Sequence, residues 1–360
     1  MIDVYVWDPN PFNPYGAEVA RVISGDQVRV YRFCRKGDKI RSACTANVEV
    51  LPTPSAGQAS FLKKAQYVIG IFLFFLRAIA KRPLIIVPWI NTTLEVVCFR
   101  LLLMFGTKIV LVVHNPIPAR DDVDKKWGLA QLRRRCSAQV VHSSELASNL
   151  EGAGNCYVAA HPGYFAWTQS TAGYNRDAID TALRSLRSFP REEIVALFMG
   201  SIRPDKGFDL LPEISRELTE REGTLLVSVG LVSPPARVVL DSCVNTVVQG
   251  DGNSYVSDNQ LYAALMFADV LIAPYENVTA SGTIMMALSL GKPVVAFSNE
   301  NLIRFLPEQC LVEPGNVIAL VESALRVKDE SFLMSDVLAR NLDLISKDNW
   351  RSILEVIINV

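Results

Sequence analysis

Short apolar runs alternate with helical stretches along the whole chain, and this alternation limits the possible folds more than any other feature. Apolar runs bounded by polar or glycine-containing segments predict buried parallel strands. Between them, apolar residues recur at helical spacing, which predicts helices that cover the sheets. The fold class is therefore α/β. In the first half the predicted strands are 3–7, 27–33, 48–51, 84–88, 108–114, 139–142 and 155–159, and the predicted helices are 16–23, 61–80, 92–105, 131–136 and 145–150.

The alternation of strands and helices is interrupted once, at 167–191. There a polar stretch and a polar helix over 176–187 predict a linker into a second domain. A chain of 360 residues, half of them hydrophobic, can build two cores. We predict an N-terminal domain over 1–165, a C-terminal domain over 166–345, and a last helix over 346–360 whose return to the first domain stays open. In the second half the predicted strands are 194–199, 224–230, 246–249, 270–273 and 293–297, and the predicted helices are 208–219, 258–267, 283–290, 316–328, 336–346 and the segment from 349 onward.

Charge and cysteine usage narrow the class of protein. The net charge is −1, which gives no global attraction to nucleic acid, so we predict no nucleic-acid partner. Seven cysteines, without a C-x-x-C pair, are typical of core thiols in a reducing compartment and not of disulfides or metal ligands. The first residues predict a strand and not a signal peptide. These features favour a cytoplasmic protein.

One segment, 67–80, is very apolar, interrupted by Arg77 and flanked by basic pairs at 63–64 and 81–82. Its uninterrupted apolar run is too short to cross a bilayer. A helix buried on the sheet and an interfacial amphipathic helix both fit, and burial is the favoured prediction.

The stretch 200–207, Gly-Ser-Ile-Arg-Pro-Asp-Lys-Gly, follows a predicted strand and precedes a predicted helix. We expect a glycine turn that exposes N–H groups, with Arg203 and Lys206 adding positive charge. This combination suits a diphosphate, although glycine turns at strand ends also occur without any ligand. A second loop, after the strand at 270–273, leads to Ser281, Gly282 and Thr283 at a helix start, which predicts either an ordinary cap or a phosphate cradle. Together the two loops favour one anion site.

Three motifs of the second half resemble a known family: Gly-x-x-Arg-Pro-x-Lys-Gly at 200–207, Pro-Tyr-x-x-x-x-x-Ser-Gly at 274–282, and Ala-Leu-Ser-x-Gly-x-Pro-Val at 287–294. They resemble GT-B glycosyltransferases related to family 4 (glycosyl transferases group 1), in the branch that builds bacterial cell-surface polysaccharides. Weaker motifs continue the resemblance at 13–15, 113–115, 141–144 and 161–164.

The resemblance implies two Rossmann-like, doubly wound domains facing a central cleft, with a nucleotide-sugar donor on the second. His114, Arg203 and Lys206 are the implied catalytic residues. The implied donor-binding residues are Gly200, Ser201, Arg203, Lys206, Glu276, Ser281, Gly282 and Thr283. The implied acceptor or cleft residues are Asn13, Tyr15, His161 and Tyr164.

The chain departs from this family at two points. Ser201 stands where an arginine is usual, so Arg203 must supply that charge. The family has a second glutamate, whose position here is Ile284 when counted forward from Glu276 and Met286 when counted back from Gly291. Neither side chain can accept a hydrogen bond from a ribose.

The three histidines each follow an apolar strand of the first half. For His142, followed by two serines, a structural role is favoured. His114 is expected to shuttle a proton or bind the donor sugar, and His161 either lines the cleft or serves as a turn residue. The candidate general bases, among which the sequence does not choose, are Asp8, Asp121, Asp122, Asp124 and Glu145.

Two charged clusters complete the predictions. Asp122-Val123-Asp124 is interpreted as a solvated loop, so the transferase is expected to need neither metal nor cofactor. A basic cluster, interpreted either as a solvated face or as a contact to anionic lipid at the inner face of the plasma membrane, comprises Arg120, Lys125, Lys126, Arg133, Arg134 and Arg135.

The leading hypothesis is a glycosyltransferase that moves a sugar from a nucleoside-diphosphate sugar to a lipid-linked or oligosaccharide acceptor in cell-surface polysaccharide synthesis. A nucleotide-sugar epimerase of the same fold needs no acceptor site and is one rival. A non-catalytic partner that keeps the fold is the other, because the second glutamate is missing.

Overall fold

The structure is a computed structural model. It describes residues 1–10, 13–35, 47–51, 60–114, 128–150, 155–174, 176–188, 194–202, 206–221, 224–250, 256–275, 281–329 and 347–359. The chain divides into two compact units, the first made of Met1–Pro162 with Ile345–Val360 and the second of Gly163–Leu344. The sequence predicts these limits at 165 and 345.

The first unit is a parallel sheet of seven strands in the order β3-β2-β1-β4-β5-β6-β7. Its strands are β1 Ile2–Asp8, β2 Val28–Arg35, β3 Asn47–Leu51, β4 Leu84–Val87, β5 Ile109–Val112, β6 Ala138–Val141 and β7 Cys156–Val158. Its helices are α1 Tyr15–Ile23, α2 Ser60–Lys81, α3 Thr93–Met104, α4 Leu129–Arg135 and α5 Ser144–Ser148, joined by the late helix α13 Lys347–Asn359. The strand order reverses between β1 and β4, which makes the sheet doubly wound.

The second unit repeats this order with a parallel sheet of six strands, β10-β9-β8-β11-β12-β13. Its strands are β8 Ile194–Ile202, β9 Thr224–Val232, β10 Thr246–Gln249, β11 Val270–Ala273, β12 Val294–Phe297 and β13 Leu311–Val312. Its helices are α6 Phe165–Tyr174, α7 Arg176–Arg187, α8 Leu211–Thr219, α9 Pro234–Asp241, α10 Asp258–Phe267, α11 Gly282–Ser289 and α12 Val317–Asp329. Here the order reverses between β8 and β11.

Several details differ from the sequence prediction. The helix predicted over 176–187 is confirmed as α7, but the polar stretch before it forms part of α6 and not a linker; both helices pack on α10. Helix α9 and the two-residue strand β13 are absent from the prediction. Strand β8 continues to Ile202, so Gly200 lies inside a strand and not in the predicted turn. The predicted helix at 336–346 lies outside the described residues.

The core of the first unit is fixed by a buried carboxylate as well as by apolar packing. Glu95 is fully buried and caps the start of α3. Its Oε1 accepts hydrogen bonds from Trp7 Nε1 at 2.8 Å and from the Tyr67 hydroxyl at 2.6 Å, and its Oε2 accepts one from Thr92 N at 2.7 Å. Since an unpaired buried carboxylate is costly, these bonds tie β1, α2 and α3 to one arrangement.

Helix α13 completes the first unit. Trp350 is 1% exposed, and its Nε1 donates to the carbonyl of Ala160 at 2.9 Å. The Asn349 side chain accepts from Ala160 N at 2.8 Å, and Lys108 Nζ donates to the carbonyl of Ile358 at 3.2 Å. The helix also packs on α1.

Helix α2 has two unlike faces. Ile71, Phe74 and Ala78 are buried in the core, as the prediction of burial requires. On the opposite face Phe72 and Leu73 are more than half exposed, so the prediction is wrong for that face. The helix carries apolar residues all round, and only one side has the sheet to cover it.

Candidate functional site

In the second unit the predicted donor residues meet where β8 and β11 end side by side. In doubly wound sheets the crevice beyond the carboxyl ends, at the point where the strand order reverses, is the usual ligand position. Lys206 and Gly207 follow β8 after a short interval, while Pro274 and Tyr275 follow β11 directly. The fold itself therefore brings the two loops together.

Gly207 allows the two loops to approach closely. Its φ is +66°, a left-handed conformation that starts the 3₁₀ turn Phe208–Leu210. A side chain at this position would collide with the carbonyl oxygen of Pro274. Both the conformation and the contact require glycine. The adjacent Lys206 is thereby held against the end of β11.

The Lys206 ammonium lies between a hydroxyl and an aromatic ring. Its Nζ is 3.4 Å from Thr283 Oγ1 and 5.0 Å from the centre of the Tyr275 ring, a cation–π distance. Thr283 and Tyr275 are both buried. A cation beside a hydroxyl at a helix start is suited to bind phosphate oxygens.

Helix α11 opens at this point with Ser281 as its cap. The Ser281 hydroxyl accepts from Ile284 N at 3.5 Å, as an ordinary cap does. The first N–H groups of a helix have no partner within the helix, so those of Gly282 and Thr283 are the donors available to an anion. Tyr164, predicted among the acceptor residues, lies here instead, because its hydroxyl is 2.9 Å from the position of a Cβ built on Gly282.

Gly200 faces the same place from inside β8. Its φ is +111°, and a Cβ built on it would be 2.8 Å from Thr283 Oγ1 and 3.1 Å from Lys206 Nζ. Glycine therefore keeps open the space between the cation and the hydroxyl. Ser201 is half-buried in β8, opposite Leu231 of β9.

Two predicted donor residues, Arg203 and Glu276, lie outside the described residues. The two positions for the missing glutamate differ in burial. Ile284 is fully buried in the core, whereas Met286 is partly exposed.

In the first unit Tyr15 joins the three histidines, although they follow three different strands. The Tyr15 ring makes edge contacts with His114, His142 and His161 at centroid distances of 4.6, 5.5 and 5.1 Å. His114 also stacks flat on Trp89, which follows β4, with the ring centroids 3.9 Å apart. Here too the cluster lies beyond the carboxyl ends of the strands, and Tyr15 and Trp89 follow β1 and β4, the two strands between which the order reverses.

Hydrogen bonds fix the tautomer of His142. Its Nδ1 is 2.9 Å from the carbonyl oxygen of Ala159, which can only accept, so Nδ1 carries the proton. Its Nε2 therefore accepts from the Tyr15 hydroxyl at 2.8 Å. In the same way His161 Nδ1 donates to the carbonyl of Pro162 at 2.9 Å. His142 is thus a structural residue that orients Tyr15, consistent with the role favoured from sequence.

Burial makes all three imidazoles neutral near pH 7. It lowers the pKa of His142 to about 4 and that of His161 to about 3, where the neighbouring His142 adds a smaller effect. Burial, with His142 and His161 nearby, lowers the pKa of His114 well below its ordinary value. None of the three rings therefore carries charge at neutral pH.

Asn13, Trp89 and Trp350 complete this cluster. The Asn13 side chain accepts from Tyr15 N at 3.0 Å and so shapes the start of α1. Trp89 and Trp350 were not predicted, and Trp350 lies 6.4 Å from His142, centroid to centroid. The position of Trp89 directly after a predicted strand was an available signal for it, whereas Trp350 comes from the distant helix α13.

The candidate general bases differ in burial and in their partners. Asp8 is fully buried in an ion pair with Arg32, at 2.8 Å between Oδ2 and the guanidinium, and Glu145 is exposed in the first turn of α5. Asp121, Asp122 and Asp124 lie outside the described residues. In the described ranges there is no group of three or more His, Cys, Asp or Glu side chains that could hold a metal ion. Among the described cysteines, Cys34, Cys98 and Cys310 are buried.

Comparison with known proteins finds a family match in the second unit. Residues 193–330 match the family described as Glycosyl transferases group 1. This segment is therefore similar to group 1 glycosyltransferases. The matched segment contains both donor loops, so the resemblance inferred from the motifs is confirmed.

Among curated proteins, a GDP-mannose:glycolipid 4-beta-D-mannosyltransferase of Xanthomonas campestris pv. campestris is 30% identical over 105 residues. The match covers 28% of this chain and 29% of the relative, well under two thirds of its length. The relative's activity therefore does not transfer directly to this chain.

Solved structures share the fold over the whole chain. Sucrose-phosphate synthase from Thermosynechococcus elongatus is 14% identical with a TM-score of 0.66, covering 100% of this chain and 98% of the other. Anabaena HepE, solved in complex with UDP-glucose, is 16% identical with a TM-score of 0.66 and 100% coverage of both chains. A UDP-GlcNAc 2-epimerase from Neisseria meningitidis, bound to UDP-GlcNAc, is 11% identical with a TM-score of 0.59 and 99% coverage of both. The predicted α/β fold of the GT-B type is confirmed.

Proposed function

We propose that this protein is a glycosyltransferase that uses a nucleoside-diphosphate sugar, with the donor diphosphate bound by the second unit. One observation carries the proposal: Lys206 Nζ and Thr283 Oγ1 lie 3.4 Å apart at the helix start beyond β8 and β11. This pair lies within the segment that matches the group 1 glycosyltransferases.

The chemistry follows from charge. When the bond between the sugar and the diphosphate breaks, negative charge grows on the leaving phosphate. Lys206, the Thr283 hydroxyl and the N-terminal dipole of α11 would stabilise that charge, and we assign Arg203 to the same task. Because protein cations would neutralise the diphosphate, the transfer needs neither metal nor cofactor in this proposal.

The comparisons support the substrate class. HepE is solved with UDP-glucose, and the mannosyltransferase is named for a GDP-mannose donor and a glycolipid acceptor. By analogy, the acceptor proposed here is a lipid-linked saccharide, and the pathway is cell-surface polysaccharide synthesis. We place the protein in the cytoplasm, peripherally at the inner face of the plasma membrane. No helix of the described residues is long and apolar enough to span a bilayer.

The cluster around Tyr15 is the proposed acceptor side. A neutral His114, stacked on Trp89, can accept a hydrogen bond from an acceptor hydroxyl at pH 7. Trp89 is partly exposed and offers an aromatic surface for a sugar ring.

The test compares Lys206→Ala with Arg237→Ala, which also removes one cation from the second unit but at an exposed ion pair on α9. Calorimetry with nucleoside diphosphates should show binding weakened at least tenfold by Lys206→Ala and unchanged by Arg237→Ala, since charge-assisted bonds to phosphate are strong. A screen of nucleotide sugars by thermal shift would first name the donor. Equal binding by both variants would refute the assignment.

A turnover assay then separates the rivals, because an epimerase shares this fold. Transfer that requires an acceptor supports the proposal, whereas conversion of the donor alone favours an epimerase. A complete lack of nucleotide binding by the unchanged protein would favour a non-catalytic partner. Full turnover in the presence of a chelator is expected, and a strict metal requirement would overturn the metal-independent step.

A further inference from the structure

The exposed face of α2 forms a continuous apolar stripe. Its five large side chains are each 48 to 56% exposed and repeat at intervals of about one helical turn: Val68, Ile69, Phe72, Leu73 and Leu76. The stripe extends along about 12 Å of helix, at 1.5 Å per residue. Single exposed apolar residues are normal on a protein surface, but a contiguous set marks an interaction site.

Helix α3 extends this surface. Its C-terminal Phe105 is 53% exposed and lies 6.3 Å, centroid to centroid, from Phe75 of α2. The neighbouring Met104 is also exposed. The apolar surface therefore covers parts of two adjacent helices.

Most charges around the stripe are positive, although Arg77 of α2 is paired with the partly exposed Glu49 at 3.0 Å. Exposed Lys64 and Lys81 lie near its two ends on α2, and exposed Arg134 and Arg135 lie on α4, which packs against α3. From 50 to 120 the sequence contains eight Lys or Arg residues but a single carboxylate, the fully buried Glu95. This region is therefore strongly basic in a chain whose net charge is −1.

We propose that the exposed face of α2, with the end of α3, docks on an anionic lipid bilayer. An amphipathic helix lying in the plane of the interface buries its apolar face among the acyl chains, and flanking lysines contact the anionic headgroups. The proposal rests on the membrane association proposed above and names the surface responsible. It accounts for both the apolar stripe and the excess of basic side chains around it.

The test is co-sedimentation of the whole chain with vesicles, without any sugar nucleotide. The unchanged protein should bind vesicles of phosphatidylcholine with 30% phosphatidylglycerol, and bind more weakly to phosphatidylcholine alone. The double variant Phe72→Gln, Leu76→Gln should reduce the partition coefficient at least tenfold. Lys64→Gln with Lys81→Gln should weaken binding to the anionic vesicles and reduce its dependence on salt.

A matched control is Val238→Gln with Ile318→Gln, which changes two similarly exposed side chains of the second unit, 73% and 52% exposed. It should bind vesicles like the unchanged protein, and circular dichroism should show that every variant is folded. Lys206→Ala should also bind normally, so failure of docking and failure of the donor site are distinguishable.

Three results would overturn the proposal. The first is no binding of the unchanged protein to anionic vesicles, and the second is equal binding by the Phe72 and Leu76 double variant. The third is a dimer in sedimentation velocity that the double variant abolishes, without vesicle binding, which would assign this face to a second copy of the chain.

Discussion

Mild acid should destabilise the first unit selectively, because all three histidines of the chain lie within it and two of them, His142 and His161, are buried. An exposed histidine has a pKa of about 6.5 in an unfolded chain. In the folded unit the pKa of His142 is about 4 and that of His161 about 3, so below pH 6.5 the unfolded state binds protons that the folded state does not. Stability is therefore complete above pH 6.5 and falls with pH until the folded pKa values are reached.

The expected loss of stability follows from the difference in histidine pKa between the folded and unfolded states. At pH 5 His142 and His161 each cost about 2 kcal/mol of folding stability, since one pH unit corresponds to about 1.4 kcal/mol. Together they cost about 4 kcal/mol, which is a large fraction of the stability of most domains. Most carboxylates ionise well below pH 5, so the interval from pH 6.5 to 5 reports mainly on the histidines.

Hydrogen exchange in urea, followed by mass spectrometry, measures the opening free energy of both units in one sample. The experiment is done at pH 7 and at pH 5, and the exchange rates are corrected for the intrinsic effect of pH. Peptides of the first unit should lose several kcal/mol of opening free energy, whereas the second unit has no histidine and serves as an internal control. Equal changes in the two units would refute the reasoning. Replacing His142 and His161 with Gln should reduce the dependence of the first unit's unfolding free energy on pH.

Three further changes test the site and its support. Gly200→Ala should weaken nucleoside-diphosphate binding at least tenfold by calorimetry, because its methyl group would be 2.8 Å from Thr283 Oγ1; normal binding would contradict the placement. Glu95→Ala should cost the first unit about 4 kcal/mol in urea unfolding by leaving the donors of Trp7, Tyr67 and Thr92 unpaired, and Glu95→Gln should cost clearly less. Trp350→Ala should cost the same unit about 3–5 kcal/mol, and unchanged unfolding would show that α13 is dispensable.

The sheets were predictable because buried parallel strands are nearly continuous apolar runs, as at β5 and β11. The errors have physical causes. Helix α6 contains a Gln-Ser-Thr-Ala-Gly stretch of a kind common in loops, yet packing on α10 keeps it helical. Helix α9 begins with Ser233 and two prolines, a start signal that the prediction overlooked.

The site was predictable in its parts but not in its assembly. Glycines and cations at strand ends indicated Gly200, Lys206 and Gly207, because only a few backbone arrangements fit such residues. The contact of Tyr15 with three histidines depends on the order of strands in the sheet, which local patterns do not specify. The roles of these residues in donor and acceptor binding stay predictions.

The packing of α13 on the first unit affects the order in which the two units complete their folding during synthesis. The first unit ends its main segment at Pro162 but needs residues 347–359 to cover the ring of His142 and the backbone of Ala160. At a synthesis rate of about 5–20 residues per second, the intervening segment takes about 10–40 s to emerge from the ribosome. During that interval the nascent first unit lacks its last packing element, while the second unit can fold as a contiguous segment. On the ribosome, the unit encoded first is therefore the one completed last.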